Sequence, residues 1–219
     1  MLEKTTFQFD DFLKNLLEWA RYQTDKIKTE PKVFFLEKVV NHVVEQSTPN
    51  ANGKGLEIRV YIEENIQVFA DPNLFAIIIF NLMNNAIKFS HPNGRIEVRG
   101  KSIGSNRVEI SVQDYGVGMN KESVNKLLDS GKSFTKQGTA GEKGTGLGFD
   151  LCKDFVEKNG GTIKVESKEN EGTIVRFTVT KRKTDPDDSI HHKSIKERLF
   201  SKSSESVSHQ KEYQNHHQL

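Results

Sequence analysis

The sequence predicts an α+β fold, a two-layer sandwich in which about three helices cover one face of a mixed, mostly antiparallel sheet. Two observations carry this prediction. Segments with helical apolar spacing and segments with strand alternation follow each other without a strict strand–helix–strand order. The 219 residues, 34% hydrophobic and 28% charged, have the composition of a globular protein with one ordinary domain and extensions.

Residues 1–29 form a candidate helix of their own. Pro31 ends this helix, because the residue before a proline avoids the helical region. A lone amphipathic helix must bury its apolar stripe on a partner, so we expect a second helix or a dimer. The stripe consists of Phe9, Phe12, Leu13, Leu16, Leu17 and Ala20.

Residues 30–182 carry the pattern of the predicted domain, and residues 183–219 are a polar tail that we predict to be disordered. The domain opens with the helix LEKVVNHVVEQ and the strands LEIRVYI and IQVFA, which flank a turn. A second helix runs from Asp71 to Phe89 and is opened by an Asp-Pro pair. The hairpin 95–103 and 107–113, a helix through LCKDFVEKN, and the hairpin TIKVES and TIVRFTVT complete it.

Composition excludes several classes of function. The formal net charge is only +2, so no global field indicates nucleic acid or an anionic membrane as a partner. Cys152 is the only cysteine in the sequence, which excludes a disulfide framework and fits a reducing compartment. No apolar run approaches the roughly 20 residues of a spanning helix. We therefore expect a cytoplasmic segment without membrane contact, although the full-length protein is compatible with a membrane anchor.

A polar stripe on the second helix is the first candidate site. Asn81, Asn85 and Lys88 fall at i, i+4 and i+7, away from the apolar face. Asparagine lowers helix propensity, so three asparagines within residues 81–85 need a compensating role. Amide oxygens suit Mg²⁺ and a lysine suits phosphate. The alternative is a solvated polar face.

Two glycine-rich segments are the other candidates. DYGVGM, from Asp114 to Met119, ends a strand with a carboxylate that could accept from an exocyclic amine, or it is a simple Asp-initiated turn. The segment 138–149, GTAGEKGTGLGF, fits neither a Rossmann fingerprint nor a P-loop in spacing. It runs directly into a helix, whose free N–H groups suit a polyphosphate. The alternative is a flexible surface loop.

The order of these motifs resembles the ATP-binding domain of sensor histidine kinases, in the GHKL superfamily with its Bergerat fold. The family's N box matches NLMNNAIKFS, its G1 box DYGVGM, its F box the region of Ser133 and Phe134, and its G2 box GEKGTGLGF. The resemblance covers about residues 30–182. It implies ATP and Mg²⁺ as cofactors.

The resemblance implies a role for each matching residue. Asn85 would be the Mg²⁺ ligand, Asn81 a supporting contact, Lys88 a phosphate partner, Phe89 the aromatic against adenine, and Asp114 the acceptor of the adenine amine. Gly116 and Gly118 would allow the backbone to approach a planar ligand closely. The phosphate-facing turn would comprise Lys143, Gly144, Thr145, Gly146, Leu147 and Gly148, and Phe134 would anchor a mobile lid between Asn120 and Lys143, with Lys132 and Lys136 as further candidates for the γ-phosphate.

The resemblance also bears on the reaction. Hydrolytic members of the superfamily have a glutamate four residues before the Mg²⁺ ligand, whereas this chain has Asn81, so transfer is favoured over hydrolysis. His42 and His91 do not match the family's acceptor histidine. Residues 1–29 resemble the C-terminal part of the second helix of the family's dimerisation hairpin, so we expect the acceptor on the first helix of that hairpin, outside the chain. A response regulator and a homodimer of the full-length kinase are the implied partners. The alternatives are a nucleotide-sensing module without transfer, or a serine kinase or ATPase of the superfamily.

Overall fold

The computed structural model describes residues 29–129, 137–142 and 146–182, without the side chain of Leu147. The predicted helix within residues 1–29 and the predicted tail from 183 lie almost wholly outside these ranges. The strands are β1 (Lys32–Phe35), β2 (Glu57–Ile62), β3 (Gln67–Ala70), β4 (Arg95–Ile103), β5 (Arg107–Asp114), β6 (Ile163–Lys168) and β7 (Gly172–Thr180). The helices are α1 (Leu36–Asn52), α2 (Pro72–Phe89), α3 (Lys121–Leu128) and α4 (Leu147–Lys158).

The main sheet has five strands in the order β2-β4-β5-β7-β6. β2 and β4 are parallel, and the other three pairings are antiparallel. Strands β1 and β3 form a separate antiparallel ribbon, in which Val33 pairs with Phe69. The predicted mixed, mostly antiparallel sheet with helices packed on it is confirmed.

The first strands do not pair with their neighbours in the sequence. β2 and β3 flank a short turn, yet β2 pairs with β4 and β3 pairs with β1. β1 was not predicted, because its four residues KVFF are too few to show alternation and lead directly into α1.

An additional helix, α3, lies where the sequence predicted part of a mobile lid. α3 begins after Asn120, whose side-chain oxygen accepts a hydrogen bond from the backbone of Ser123 at 2.9 Å. This is an ordinary N-cap. The prediction that the whole segment from Asn120 to Lys143 is a loop is therefore wrong for residues 121–128.

Helix α2 forms the centre of the core. Asp71 is its N-cap and accepts from the backbone of Asn73 and Leu74 at 2.9 and 3.3 Å, as the Asp-Pro pair predicted. Each large apolar side chain on its buried face stabilises the fold by about 1.5–3 kcal/mol. The predicted apolar face is confirmed as buried at Phe75, Ile78, Ile79, Leu82 and Ala86.

The core joins α2 to its neighbours on one face of the sheet. Phe75 packs against Phe34 of β1 and Phe177 of β7, with ring centroids 5.4 and 5.8 Å apart. Leu36 and Val40 of α1 are fully buried in the same cluster. Among the described helices, none is long and apolar enough to cross a membrane.

Candidate functional site

The polar stripe of α2 lies at the margin of this core. Asn81 is buried, and its amide nitrogen donates to the carbonyl of Ile77 at 3.0 Å, which satisfies an otherwise costly group inside a helix. Asn85 and Lys88 are half-buried. The Lys88 ammonium lies 4.8 Å from the centre of the Phe89 ring. Partial burial lowers the pKa of Lys88, while the nearby charge of Glu142 opposes that shift.

Asp114 lies at the end of β5, and its residue is only 6% exposed. Desolvation raises the pKa of this carboxyl to about 6, although backbone hydrogen bonds from Gly116 and Thr173 act in the opposite direction. The Gly116 amide donates to Oδ1 of Asp114 at 3.0 Å. The ionised form of a desolvated carboxyl is stabilised most when a ligand donates a hydrogen bond to it.

The two glycines after Asp114 allow the backbone to approach other protein segments. A Cβ atom on Gly116 would lie 1.9 Å from the carbonyl oxygen of Phe89, and one on Gly118 would lie 1.9 Å from that of Lys168. The Val117 amide donates to the same Phe89 carbonyl at 3.1 Å. The sequence assigned the close approach to a ligand; the structure shows that the protein's own backbone already requires both glycines.

Helix α4 begins at the other end of the stripe. Its N-cap is Gly146, which has a left-handed φ of 78°, so the glycine-rich segment leads directly into a helix, as predicted. A Cβ atom on Gly148 would lie 2.9 Å from Oδ1 of Asn81. The first turn of α4, whose first N–H groups have no partner within the helix, therefore lies against the side-chain amide of Asn81.

The structure thus joins three motifs that are far apart in sequence. Phe89 and Asp114 meet through the loop of Gly116 and Val117, and Asn81 meets Gly148. A buried carboxyl, an amide stripe and a helix N-terminus are therefore available as a hydrogen-bond acceptor, oxygen donors and N–H donors. Several predicted contacts lie outside the described residues: Lys132, Phe134, Lys136, Lys143, Gly144, Thr145 and the side chain of Leu147.

Lys54, Thr139 and Glu142 were not singled out by the sequence. The Lys54 ammonium donates to Glu142 at 3.0 Å, and the Thr139 hydroxyl donates to the carbonyl of Ser90 at 2.7 Å. These contacts join segments 88 and 49 positions apart in the sequence. No local pattern could have indicated them.

Known proteins resemble this chain in sequence. Residues 70–183 match the family model described as histidine kinase-, DNA gyrase B-, and HSP90-like ATPase. Sensor histidine kinase RcsC of Escherichia coli strain K12 is 31% identical over 172 residues, which cover 76% of this chain and 17% of RcsC. The chain spans 21% of the Caulobacter vibrioides relative it matches and 44% of two cyanobacterial ones.

Solved structures give the same picture. The nucleotide-free catalytic domain of histidine kinase ThkA is similar with a TM-score of 0.60 and 26% identity, over 69% of this chain and 96% of that domain. ThkA in complex with the response regulator protein TrrA matches with a TM-score of 0.64 and 20% identity, over 82% of this chain and 49% of that one. The second similarity concerns the fold alone.

Proposed function

Because the chain belongs to the family of histidine kinase-, DNA gyrase B- and HSP90-like ATPases, we propose that it binds Mg-ATP and transfers the γ-phosphate to a histidine on a dimerisation hairpin. The chain is the ATP-binding catalytic module of a sensor histidine kinase. Its activity, its metal ion and the role of each residue are the proposal.

One observation carries the proposal most directly. The first turn of α4 lies so close to Asn81 that a Cβ atom on Gly148 would lie 2.9 Å from the side-chain oxygen of Asn81. A triphosphate bound at this helix N-terminus would meet the amide stripe of α2. Asn85 would then ligate the metal ion through its oxygen, and Lys88 would neutralise phosphate charge.

The other end of the site would bind the base. The Asp114 carboxylate would accept from the adenine amine, and the Phe89 ring would lie against the base. The loop of Asp114 and the end of α2, which would hold the base between them, are joined through the Val117 amide. Transfer of a phosphoryl group requires mainly such positioning and charge stabilisation.

Transfer is favoured over hydrolysis by the chemistry of Asn81. An amide cannot take a proton from water at neutral pH, so it cannot activate a hydrolytic nucleophile. The acceptor would be supplied by another segment: His42 lies on α1 within 3.2 Å of Gln46, and His91 lies in the turn after α2. A response regulator is the expected next partner, and a homodimer is the expected assembly of the full-length kinase.

Two measurements test the proposal. Calorimetric titration of the full chain with ATP should show binding that requires Mg²⁺ for full affinity, and Asp114→Asn should abolish it. Asp154→Asn is the control, because Asp154 pairs with Lys158 on α4 at 3.2 Å. Adding a dimerisation hairpin with its acceptor histidine should yield acid-labile, alkali-stable phosphate on that hairpin. Rapid ATP hydrolysis by the chain alone would contradict the transfer mechanism.

A further inference from the structure

Lys54 caps the C-terminal end of α2 from a distance. It lies in the turn between α1 and β2, and its side chain is only 9% exposed. Its ammonium donates to the carbonyls of Ile87 and Lys88 at 2.8 and 2.9 Å and to Glu142 at 3.0 Å. The three hydrogen-bond donors of the ammonium are thereby all used. The two carbonyls belong to the last turn of α2, where carbonyl groups have no hydrogen-bond donors within the helix.

The turn 138–142 is attached to the same helix end. The Thr139 amide donates to the carbonyl of Lys88 at 3.1 Å, and its hydroxyl donates to that of Ser90 at 2.7 Å. Within the turn, the carboxylate of Glu142 accepts from the Ala140 amide at 2.8 Å. We call Lys54, Thr139 and Glu142 the clasp.

The clasp lies beside the proposed phosphate contacts. Gly138 packs so closely on Lys88 that a Cβ atom would lie 2.6 Å from Cγ of that lysine. Glu142 precedes Gly146, the N-cap of α4, by four residues. The chain that enters the phosphate-facing turn therefore starts from a point fixed to α2.

Helix capping alone does not account for this arrangement. Water or a simple turn can satisfy terminal carbonyls, whereas a partly buried ion pair carries a desolvation cost. That cost is understandable if the fixed geometry contributes to binding, because groups ordered before the ligand arrives need not be ordered by it.

We propose that Lys54 and Glu142 are positioning residues for nucleotide binding: their ion pair holds the turn 138–142 against α2 and so presets Lys88 for the phosphates of Mg-ATP. This inference rests on the proposed function, since it assigns the triphosphate to that site. Neither residue is required to touch the nucleotide.

The sign of one mutational effect separates this role from simple electrostatics. Glu142 places a negative charge near Lys88, and the same charge repels a triphosphate. If Glu142 acted only through its charge, Glu142→Gln would tighten ATP binding. If the ion pair positions the turn, the same substitution weakens binding.

The experiment compares variants of the full chain by calorimetric titration with Mg-ATP. Glu142→Gln should weaken binding about fivefold, the lower end of typical coupling between sites. Thr139→Val, which removes the hydroxyl bonds, should shift affinity in the same direction. Glu57→Gln is the matched control, because it breaks an ion pair with Arg59 at 2.8 Å on a strand at the sheet edge, and it should bind like the unchanged chain.

Amide hydrogen exchange of residues 137–142 in the nucleotide-free chain provides the second readout. Exchange there should be faster in Glu142→Gln, while the urea midpoint of the whole domain changes little. Lys54→Met also removes the cap of α2. When it is combined with Glu142→Gln and the double variant folds, Mg-ATP should bind as tightly as it does to Glu142→Gln alone. The Glu142→Gln result stands without it.

The outcomes separate the two levels of the argument. No ATP binding by the unchanged chain would contradict the proposed function. Normal binding by the unchanged chain, together with equal or tighter binding by Glu142→Gln, would overturn the role of the clasp alone. Weaker binding without faster exchange would also overturn it, because the turn would not have been released.

Discussion

Two segments reach the C-terminal end of α2, and they are held there in different ways. The loop 114–118 is attached through backbone atoms: Val117 donates to Phe89 at 3.1 Å, and Asn170 donates to Val117 at 2.8 Å. The turn 138–142 is attached largely through side chains, chiefly those of Lys54, Thr139 and Glu142.

The difference separates a fixed half of the site from an adjustable half. Backbone contacts beneath glycines tolerate no added atom and respond little to charge. An ion pair in which Glu142 is 25% exposed responds to salt and to charge changes. We therefore expect the attachment of the proposed base-binding side to depend on steric fit, and the attachment of the proposed phosphate side to depend on electrostatics.

Gly116→Ala should break the fixed half and have the largest effect. Its Cβ atom would lie 1.9 Å from the backbone oxygen of Phe89, which cannot move without displacing α2. Overpacking against rigid backbone should lower the free energy of unfolding by about 3 kcal/mol or more. Urea unfolding measures this. Gly53→Ala is the control, because its Cβ atom would meet Asn50 at an ordinary 3.5 Å; equal losses in both variants would contradict the steric argument.

Asp114→Asn should remove ligand binding yet stabilise the free protein. Ionising a buried carboxyl whose pKa is raised from 3.8 to about 6 costs the folded state at most about 3 kcal/mol at neutral pH. The amide avoids this cost while its oxygen can still accept from Gly116. We expect a gain of about 2 kcal/mol at pH 7 by urea unfolding, with ATP binding abolished. A destabilised variant would show that the carboxylate supports the fold.

The same group gives the unchanged protein a specific pH dependence. Since the pKa of Asp114 is higher in the folded state than in the unfolded chain, its contribution to stability is complete below pH 3.8 and is lost as the pH rises through about 6. ATP affinity should change in the opposite direction and increase through about pH 6, because the ionised carboxylate is the better acceptor. Urea unfolding at several pH values should show no such pH dependence of stability in Asp114→Asn.

Gly148→Ala tests the contact between α4 and α2 and should have a smaller effect. The added Cβ atom would lie 2.9 Å from a side-chain oxygen of Asn81 rather than from backbone. The amide can shift by a few tenths of an ångström, so we expect a loss of about 1 kcal/mol in stability. Mg-ATP affinity should fall more than stability does, because Asn81 moves away from the proposed phosphates. Unchanged affinity would place the nucleotide elsewhere.

The sequence was most informative where local chemistry determines structure. α2 could be predicted in position, start and buried face, because an Asp-Pro pair opens it and its apolar residues keep a helical period. DYGVGM marked a motif because glycine is needed where backbones meet, and the segment before α4 marked another because Gly146 has a left-handed φ of 78°. The partner of that close approach was not predictable: for Gly116 it is Phe89, 27 positions earlier in the chain.

The rest of the fold and site depends on contacts between distant segments. β1 is four residues long and is stabilised by pairing with β3, which no local pattern reveals. The sequence around Lys54 does not distinguish it from lysines at the protein surface. Its proposed role follows from its contacts with the carbonyls of α2 and with Glu142. Ion pairs of this kind have no periodicity, so they become visible only once the fold brings the segments together.

Salt should distinguish the two attachments with the smallest effect of all. Raising NaCl from about 0.05 to about 0.5 M shortens the range of charge interactions several-fold, and a partly exposed ion pair contributes less than about 1 kcal/mol. We expect amide exchange at Thr139 to increase about twofold, whereas exchange at Val117 stays constant. In Glu142→Gln, Thr139 should lose its salt dependence, because the Lys54 pair no longer exists. A salt response that is equal at both amides would mean that the two halves open together, and the distinction between them would then be wrong.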